Sequence, residues 1–208
     1  MTMTRLISGM LLTGLAAGCA SAPLPPPVTT YAGTNCAAGP NLGSAIGLTP
    51  AKAKKTFTVS VPILAGSACL ARAGVQTPYL VFALPADPAG KMIEVGAQME
   101  GLRIFSPAIT ILDGSGNQVR SFAPDQYLYR GSLYSVQFVP RAGDRFVLVT
   151  ADPARVGARY DSIAIGTSST YLYGGASWTS GIDEDVSRTF SYEGTVTATV
   201  YDPAVAGG

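Results

Sequence analysis

The sequence contains no histidine. That removes Ser-His-Asp and Cys-His nucleophilic catalysis and nearly every catalytic zinc site, because each uses imidazole as base or ligand. Ser-Lys chemistry would need a close pair, and Ser60, Ser67 and the lysines at 52, 54, 55 and 91 show no Ser-x-x-Lys spacing. Asp113-Gly114-Ser115-Gly116-Asn117 sets oxygens at alternate positions, which suits calcium. No EF-hand glutamate follows, and a Gly-rich hairpin turn is the plainer reading. Asp183-Glu184-Asp185 is the densest acidic run, beside Gly181 and Arg188. Consecutive carboxylates of an extended chain point to opposite sides, so a solvated loop is expected there rather than a site for calcium or a basic partner. A glycosidase pair is defined by separation in space, and nothing in the spacing favours one. No catalytic residue, metal site or cofactor is therefore assigned.

Two aromatic clusters remain. One is Tyr127-Leu128-Tyr129-Arg130 with Tyr134; the other is Tyr171-Leu172-Tyr173-Gly174-Gly175-Ala176-Ser177-Trp178. Flat rings beside Arg, Asp or Gly serve sugar-binding faces and protein interfaces alike, and they also serve ordinary cores. Alternation would place Tyr127 and Tyr129 on one side of a strand. Trp178, in a Gly/Ser-rich stretch expected to be a loop, is the first choice for an exposed anchor. Tyr127, Tyr129 and Trp178 are thus the candidate ligand-binding residues.

These residues must be positioned by a domain that the first residues send out of the cytoplasm. Arg5 is the only charge before Cys19, and an apolar run from Leu6 to Leu15 follows it. That run is shorter than the ~20 residues of a transmembrane helix and has the form of a secretory leader. Its end, Leu15-Ala16-Ala17-Gly18-Cys19, resembles the lipobox of bacterial lipoproteins, with Ala16 where that family most often has Leu. The resemblance implies cleavage before Cys19 and acylation of its thiol and new amino group; two or three chains anchor firmly where one does not. Ala20 rather than Asp after the cysteine implies, by likeness to enteric sorting, transfer to the outer membrane. Residues 1–18 are then the signal peptide. Residues 19–34, rich in proline (Pro23, Pro25, Pro26, Pro27), are expected to be a lipidated tether in polyproline form holding the domain off the head groups.

Fourteen Lys and Arg stand against 13 Asp and Glu, and losing Arg5 with the leader makes the mature chain formally neutral. A neutral chain has no global attraction to nucleic acid or anionic lipid, so the membrane partner is held by acyl chains. Cys36 and Cys69 are the thiols left after Cys19 is acylated. An even pair in an exported chain reads as a disulfide, with two free thiols or part of a metal site as alternatives.

Gly and Pro, 24 and 15 of them, punctuate short apolar runs. Thr56–Ile63 and Lys91–Met99 alternate, with Phe57, Val59, Val61, Ile63 and then Ile93, Val95, Ala97, Met99 on one face. Pro62 suggests an edge strand. Tyr79–Leu84 is continuously apolar. Ala108–Leu112 and Gln118–Phe122 read as a hairpin. Leu133–Val139 and Arg145–Thr150 read as partners around Arg141-Ala142-Gly143-Asp144, with a short strand at Ile163–Ile165. Thr189–Tyr192 and Thr195–Tyr201 read as a final hairpin turning at Glu193-Gly194. A helical turn is expected near Pro50–Lys55. The expected fold is all-β, an antiparallel, jelly-roll-like β-sandwich over residues 35–203, with a frayed tail at 204–208.

The block Thr77–Phe122, with Val136-Gln137-Phe138-Val139-Pro140 and Arg145–Thr150, resembles the maltose operon periplasmic protein family. More loosely it is similar to β-sandwich domains that follow secreted peptidases. The likeness implies an exported β-sandwich and carries over no sugar site. Together these readings lead to an outer-membrane lipoprotein on the periplasmic side with a non-catalytic binding or structural role, its partner an envelope protein or a glycan. A carbohydrate-binding module tied to uptake of maltodextrin or another glycan is the alternative, and a histidine-free glycan hydrolase the second.

Overall fold

The computed structural model describes residues 23–49, 56–164, 169–173, 176–180 and 184–201, with the backbone alone between 162 and 186. The leader, Cys19, Pro50–Lys55 and the tail 202–208 lie outside the described residues. The fold is an all-β sandwich. Its strands begin with β1 (Ile46–Gly47), β2 (Phe57–Ile63), β3 (Cys69–Arg72), β4 (Val75–Ala83) and β5 (Met92–Glu100). β6 (Arg103–Phe105), β7 (Pro107–Leu112), β8 (Gln118–Ser121), β9 (Leu128–Arg130), β10 (Leu133–Phe138) and β11 (Phe146–Ala151) follow. The rest are β12 (Arg159–Ala164), β13 (Ser169–Tyr173), β14 (Ala176–Ser180), β15 (Glu184–Ser191) and β16 (Gly194–Tyr201).

A six-stranded sheet runs β1-β4-β11-β7-β8 with β3 added to β4. An eight-stranded sheet runs β12-β15-β6-β5-β10-β9, with β16 joining β5 to the edge strand β2. Two pairings are parallel, β1 with β4 and β15 with β6; the rest are antiparallel. Between the sheets, Ile93, Val95, Ala97, Val136, Val196 and Ala198 of one meet Phe82, Ile109, Ile111, Val147 and Val149 of the other. This is the alternation of β2 and β5 made physical, with one face in the core and the other turned outward. β4 reads as a continuous apolar run because both its faces are buried. Phe82 enters the main core, and Val81 and Tyr79 form a second cluster with Leu70, Leu112 and Leu148 on the far side of the six-stranded sheet.

Cys36 and Cys69 form a disulfide, with an S–S distance of 2.06 Å. It clips the N-terminal segment onto β3, where Ala37 N–H donates to Cys69 O and Ala71 N–H to Ala37 O. The segment expected as a free spacer is held against the sandwich well before Asn35. Val28 N–H donates to Ser191 Oγ, Tyr192 N–H donates to Val28 O, and the Tyr31 and Tyr192 rings meet at 5.5 Å.

Two expected hairpins are not hairpins. β10 pairs with β5 and β9 in the eight-stranded sheet, while β11 pairs with β4 and β7 in the other. The Arg141–Asp144 turn therefore crosses between layers. Asp144, fully buried, accepts from Arg141 N–H and from Arg120 Nη2 of β8 at 2.6 Å, which fixes the turn to the six-stranded sheet. Likewise β15 and β16 run in the same direction, antiparallel to β5. Glu193-Gly194 is a kink between them. It lets the chain leave the side of β6 and take its place beside β5, where a Cβ on Gly194 would lie 2.9 Å from Phe105 N. Local turn chemistry was read correctly as a bend; which strand received the chain was not local information.

Candidate functional site

The outward face of the eight-stranded sheet holds the polar half of the alternating strands. Register places Ser60, Thr197, Gly96 and Ser135 in one row across β2, β16, β5 and β10. Thr58, Thr199, Glu94 and Gln137 form the next. Gly96 decides the shape. A Cβ there would lie 2.5 Å from Ser135 Cα, so β10 folds toward the outer side of β5 and only glycine fits. The face is therefore a trough, with Glu94 and Ser135 on its floor.

Glu94 is 3 % exposed. Its Oε1 accepts from Ser135 Oγ and its Oε2 from Tyr201 O–H, each at 2.6 Å. Arg130 Nη1 donates to Ser135 O at 2.7 Å and to Ser135 Oγ at 3.3 Å. Four neighbouring strands, β9, β10, β5 and β16, thus share one polar chain. Burial first, then the bond to Glu94, pushes the Tyr201 phenol up to about 12. Tyr201 therefore stays a donor at neutral pH. Along the second flank, Thr58 and Thr199 hydroxyls meet at 3.0 Å and Ser60 and Thr197 at 2.9 Å. Gln98 Nε2 donates to Thr197 Oγ1 at 3.1 Å and to Ser60 Oγ at 3.3 Å.

Such a surface offers many hydroxyl and amide contacts, one carboxylate and one guanidinium. Its closest hydroxyl–carboxylate pair, Ser135 with Glu94, is buried from solvent. Glu100 shares the face but stands six residues along the strand, about 20 Å away at ~3.3 Å per residue. Its carboxylate is bound to Arg103 at 2.7 Å.

Of the candidate aromatics, the side chains of Tyr127 and Tyr129 are described. Tyr127 precedes β9, and it is 6 % exposed with its hydroxyl accepting from Ile109 N–H at 2.8 Å. Its ring stacks on Tyr134 at 5.4 Å, and burial holds its phenol well above the ordinary value. It is a core residue. Tyr129 is 51 % exposed and lies opposite Tyr134 in register, on the side of β9 away from the trough. Both tyrosines thus lie on the Tyr134 side of the sheet, Tyr127 buried ahead of β9 and Tyr129 half exposed upon it. Trp178 is on a strand, not in a loop, with its backbone on β14 paired to Tyr171 of β13; its side chain lies outside the described residues. The side chains of Asp183-Glu184-Asp185 do too, and the last two sit on β15. Tyr134 carries a different arrangement. Arg155 lies over its ring at 5.0 Å and over Phe190 at 4.3 Å, and donates to the Tyr134 hydroxyl at 2.6 Å.

Asp113 is a turn residue. Its Oδ1 accepts from the Ser115 and Asn117 N–H groups and its Oδ2 from Asn117 Nδ2. The carboxylate is saturated by its own loop, and the Asn117 side-chain bond, first among these contacts, lowers its pKa. Among the described residues no cluster of three Asp, Glu or Cys could hold a metal ion. A hollow of about 360 Å³ at the far end of β5, lined by Pro88, Ala89, Pro140, Arg141, Ala142 and Arg145 among others, contains no reactive pair.

The sequence reading missed Glu94, Ser135, Gln98 and Tyr201, and named Arg130 only as a neighbour of the tyrosines. The available signal was the polar half of Lys91–Met99 and Thr195–Tyr201. It identifies an outward face but not a trough, since the trough depends on Gly96 meeting Ser135 across strands. No protein-family model, curated protein or solved structure matches the chain.

Proposed function

We propose that this protein is an envelope lipoprotein, anchored through acylated Cys19 to the outer membrane on its periplasmic side, whose sandwich binds a polar ligand without catalysis. The observation that carries the binding role is Glu94. A buried carboxylate held by two hydroxyls, with Arg130 reaching it only through Ser135, costs stability in a protein that could place a threonine or leucine there. The surrounding Ser, Thr, Gln, Arg and Tyr groups match the hydroxyls of a glycan, which favours the carbohydrate reading among non-catalytic ones. Maltodextrin and peptidoglycan fragments are the natural probes. A hydrolase would need a second carboxylate within ~5–10 Å of Glu94, and Glu100 stands twice that far along the strand.

Two measurements test this. Intact-mass analysis of the membrane-extracted protein should find Cys19 at the N-terminus carrying acyl chains, and Cys19→Ala should abolish both the acylation and the cut before residue 19. Calorimetric titration of the mature protein with maltodextrins and muropeptides should find saturable binding that Glu94→Gln and Arg130→Ala each weaken at least about tenfold, as loss of a charged hydrogen bond does. Absence of binding to every glycan tried would remove the carbohydrate reading and turn the search to envelope proteins.

A further inference from the structure

The described chain begins near one end of the sandwich, where three leucines are exposed. Leu24 packs on the turn between β5 and β6; its Cδ1 lies 2.7 Å from where a Cβ on Gly101 would be. Leu102, in the same turn, is 47 % exposed, and Leu24 is 57 % exposed. Leu64, 47 % exposed, follows β2 at the same end, because Ile63 pairs with Gly194 at the start of β16. The charges between these leucines are already bound to one another. Arg103 holds Glu100 at 2.7 Å and Glu193 at 3.4 Å, and Glu193 Oε1 accepts from Ala65 N–H.

A two-stranded ribbon leaves the body from this end. β15 runs parallel to β6 with Thr189 opposite Arg103, so residues 184–188 extend past the start of β6 and past Leu102. β12 accompanies β15, and β13 and β14 pair within the connection that joins them. From 162 to 182 the sequence has no charged residue. Register puts Tyr171 opposite Trp178 and Tyr173 opposite Ala176 within that connection.

We infer that this end of the domain, with Leu24, Leu64 and Leu102, rests on the lipid surface. The inference depends on the reading of Cys19 as the anchor. Only five residue steps separate Cys19 from Leu24. At ~3.5 Å per residue they reach at most about 17 Å, which holds the leucine end within reach of the head groups. Leucine at a lipid surface buries apolar area.

The test uses the full mature chain in phosphatidylethanolamine–phosphatidylglycerol vesicles. An environment-sensitive fluorophore is placed at Leu102→Cys, and in a second protein at Val139→Cys, which is 59 % exposed beyond the opposite end of β5. Expected are brightening and quenching by lipid-borne nitroxide at position 102 and neither at 139. Equal, water-like signals at both positions would overturn the inference. So would a signal at 102 that appears without vesicles and scales with protein concentration, since that would mean a second copy covers the leucines. Co-sedimentation of the chain from residue 19 carrying Cys19→Ala, without the leader, with the same vesicles separates this inference from the anchor itself. Residual binding should fall about tenfold in Leu24→Ser/Leu102→Ser. An unacylated Cys19 in the mass spectrum would fail the anchor alone, and vesicle binding of Cys19→Ala that ignores the leucine substitutions would fail the inference alone.

Discussion

On the six-stranded sheet, Tyr79, Val81, Leu112 and Leu148 turn away from the main core and are closed over by Leu70 of β3 and by Leu42 and Ala45 of the N-terminal segment. On the eight-stranded sheet, the equivalent outward positions are Thr197, Thr199, Glu94 and Ser135. The groups that close over them, Gln98, Tyr201 and Arg130, are polar side chains of the same sheet. One outer face was given a second apolar layer and a disulfide. The other was kept polar and folded inward at Gly96. A face built only for stability resembles the first, so the second carries the functional expectation.

Breaking the cover should have the largest effect. Cys36→Ser/Cys69→Ser opens a loop whose ends are 33 residues apart. It should lower stability in urea by about 3 kcal/mol. Hydrogen exchange should rise first at Val81 and Leu148, while glycan titration of the remaining folded protein is unchanged. Equal loss of protection on β5 and β16 would mean the two faces are not separable.

The trough should respond in the opposite manner. Glu94→Ala strands the hydroxyls of Ser135 and Tyr201 and should cost about 2 kcal/mol, because buried donors lose their acceptor. The triple variant Glu94→Leu/Ser135→Ala/Tyr201→Phe removes both sides of each bond, should recover most of that loss, and should still abolish ligand binding. A triple variant as unstable as Glu94→Ala would make the network structural and remove its claim to function.

Much of this contrast was legible before any coordinates. The unbroken run Tyr79–Leu84 marks a strand covered on both faces, and the alternation of Lys91–Met99 marks one with a free face. The pairing of Cys36 with Cys69 followed from reading the chain as exported with two thiols left over. What could not be read is what depends on partners distant in sequence. Arg141–Asp144 and Glu193-Gly194 are both bends, yet one crosses between sheets through Arg120 and the other shifts a strand from β6 to β5. Tyr127 and Tyr129 carry the same local signal, yet one caps the core beneath Ile109 and the other is half in solvent.

Alkaline pH gives a smaller effect that separates the faces again. Tyr201 has its phenol raised from 10.0 to about 12. An acid whose proton is held more tightly in the folded state contributes stability below its unfolded pKa and loses it as pH rises through the folded one. Stability should therefore decline between about pH 10 and 12, and Tyr201→Phe should make that decline shallower. Tyr127 shifts the same way through burial and adds to the decline in both proteins. An unchanged slope in Tyr201→Phe would mean that Tyr201 is not held by Glu94 in solution.

The smallest effect lies at the edge of the covered face. The β3–β4 turn places Ala73 at φ +49° and Gly74 at φ +78°, the left-handed pair of a tight hairpin. A Cβ at that φ meets the following carbonyl, while asparagine tolerates the conformation through local hydrogen bonding. Glycine would relieve the clash but free the unfolded chain, so it gains less. Ala73→Asn should therefore raise the melting temperature, with a gain of about 0.5–1 kcal/mol. Because β3 reaches the core only through the six-stranded sheet, the trough should bind its ligand with unchanged affinity. A change in that affinity would show the two outer faces to be coupled through the sandwich, so that the polar face could not be treated as an independent site.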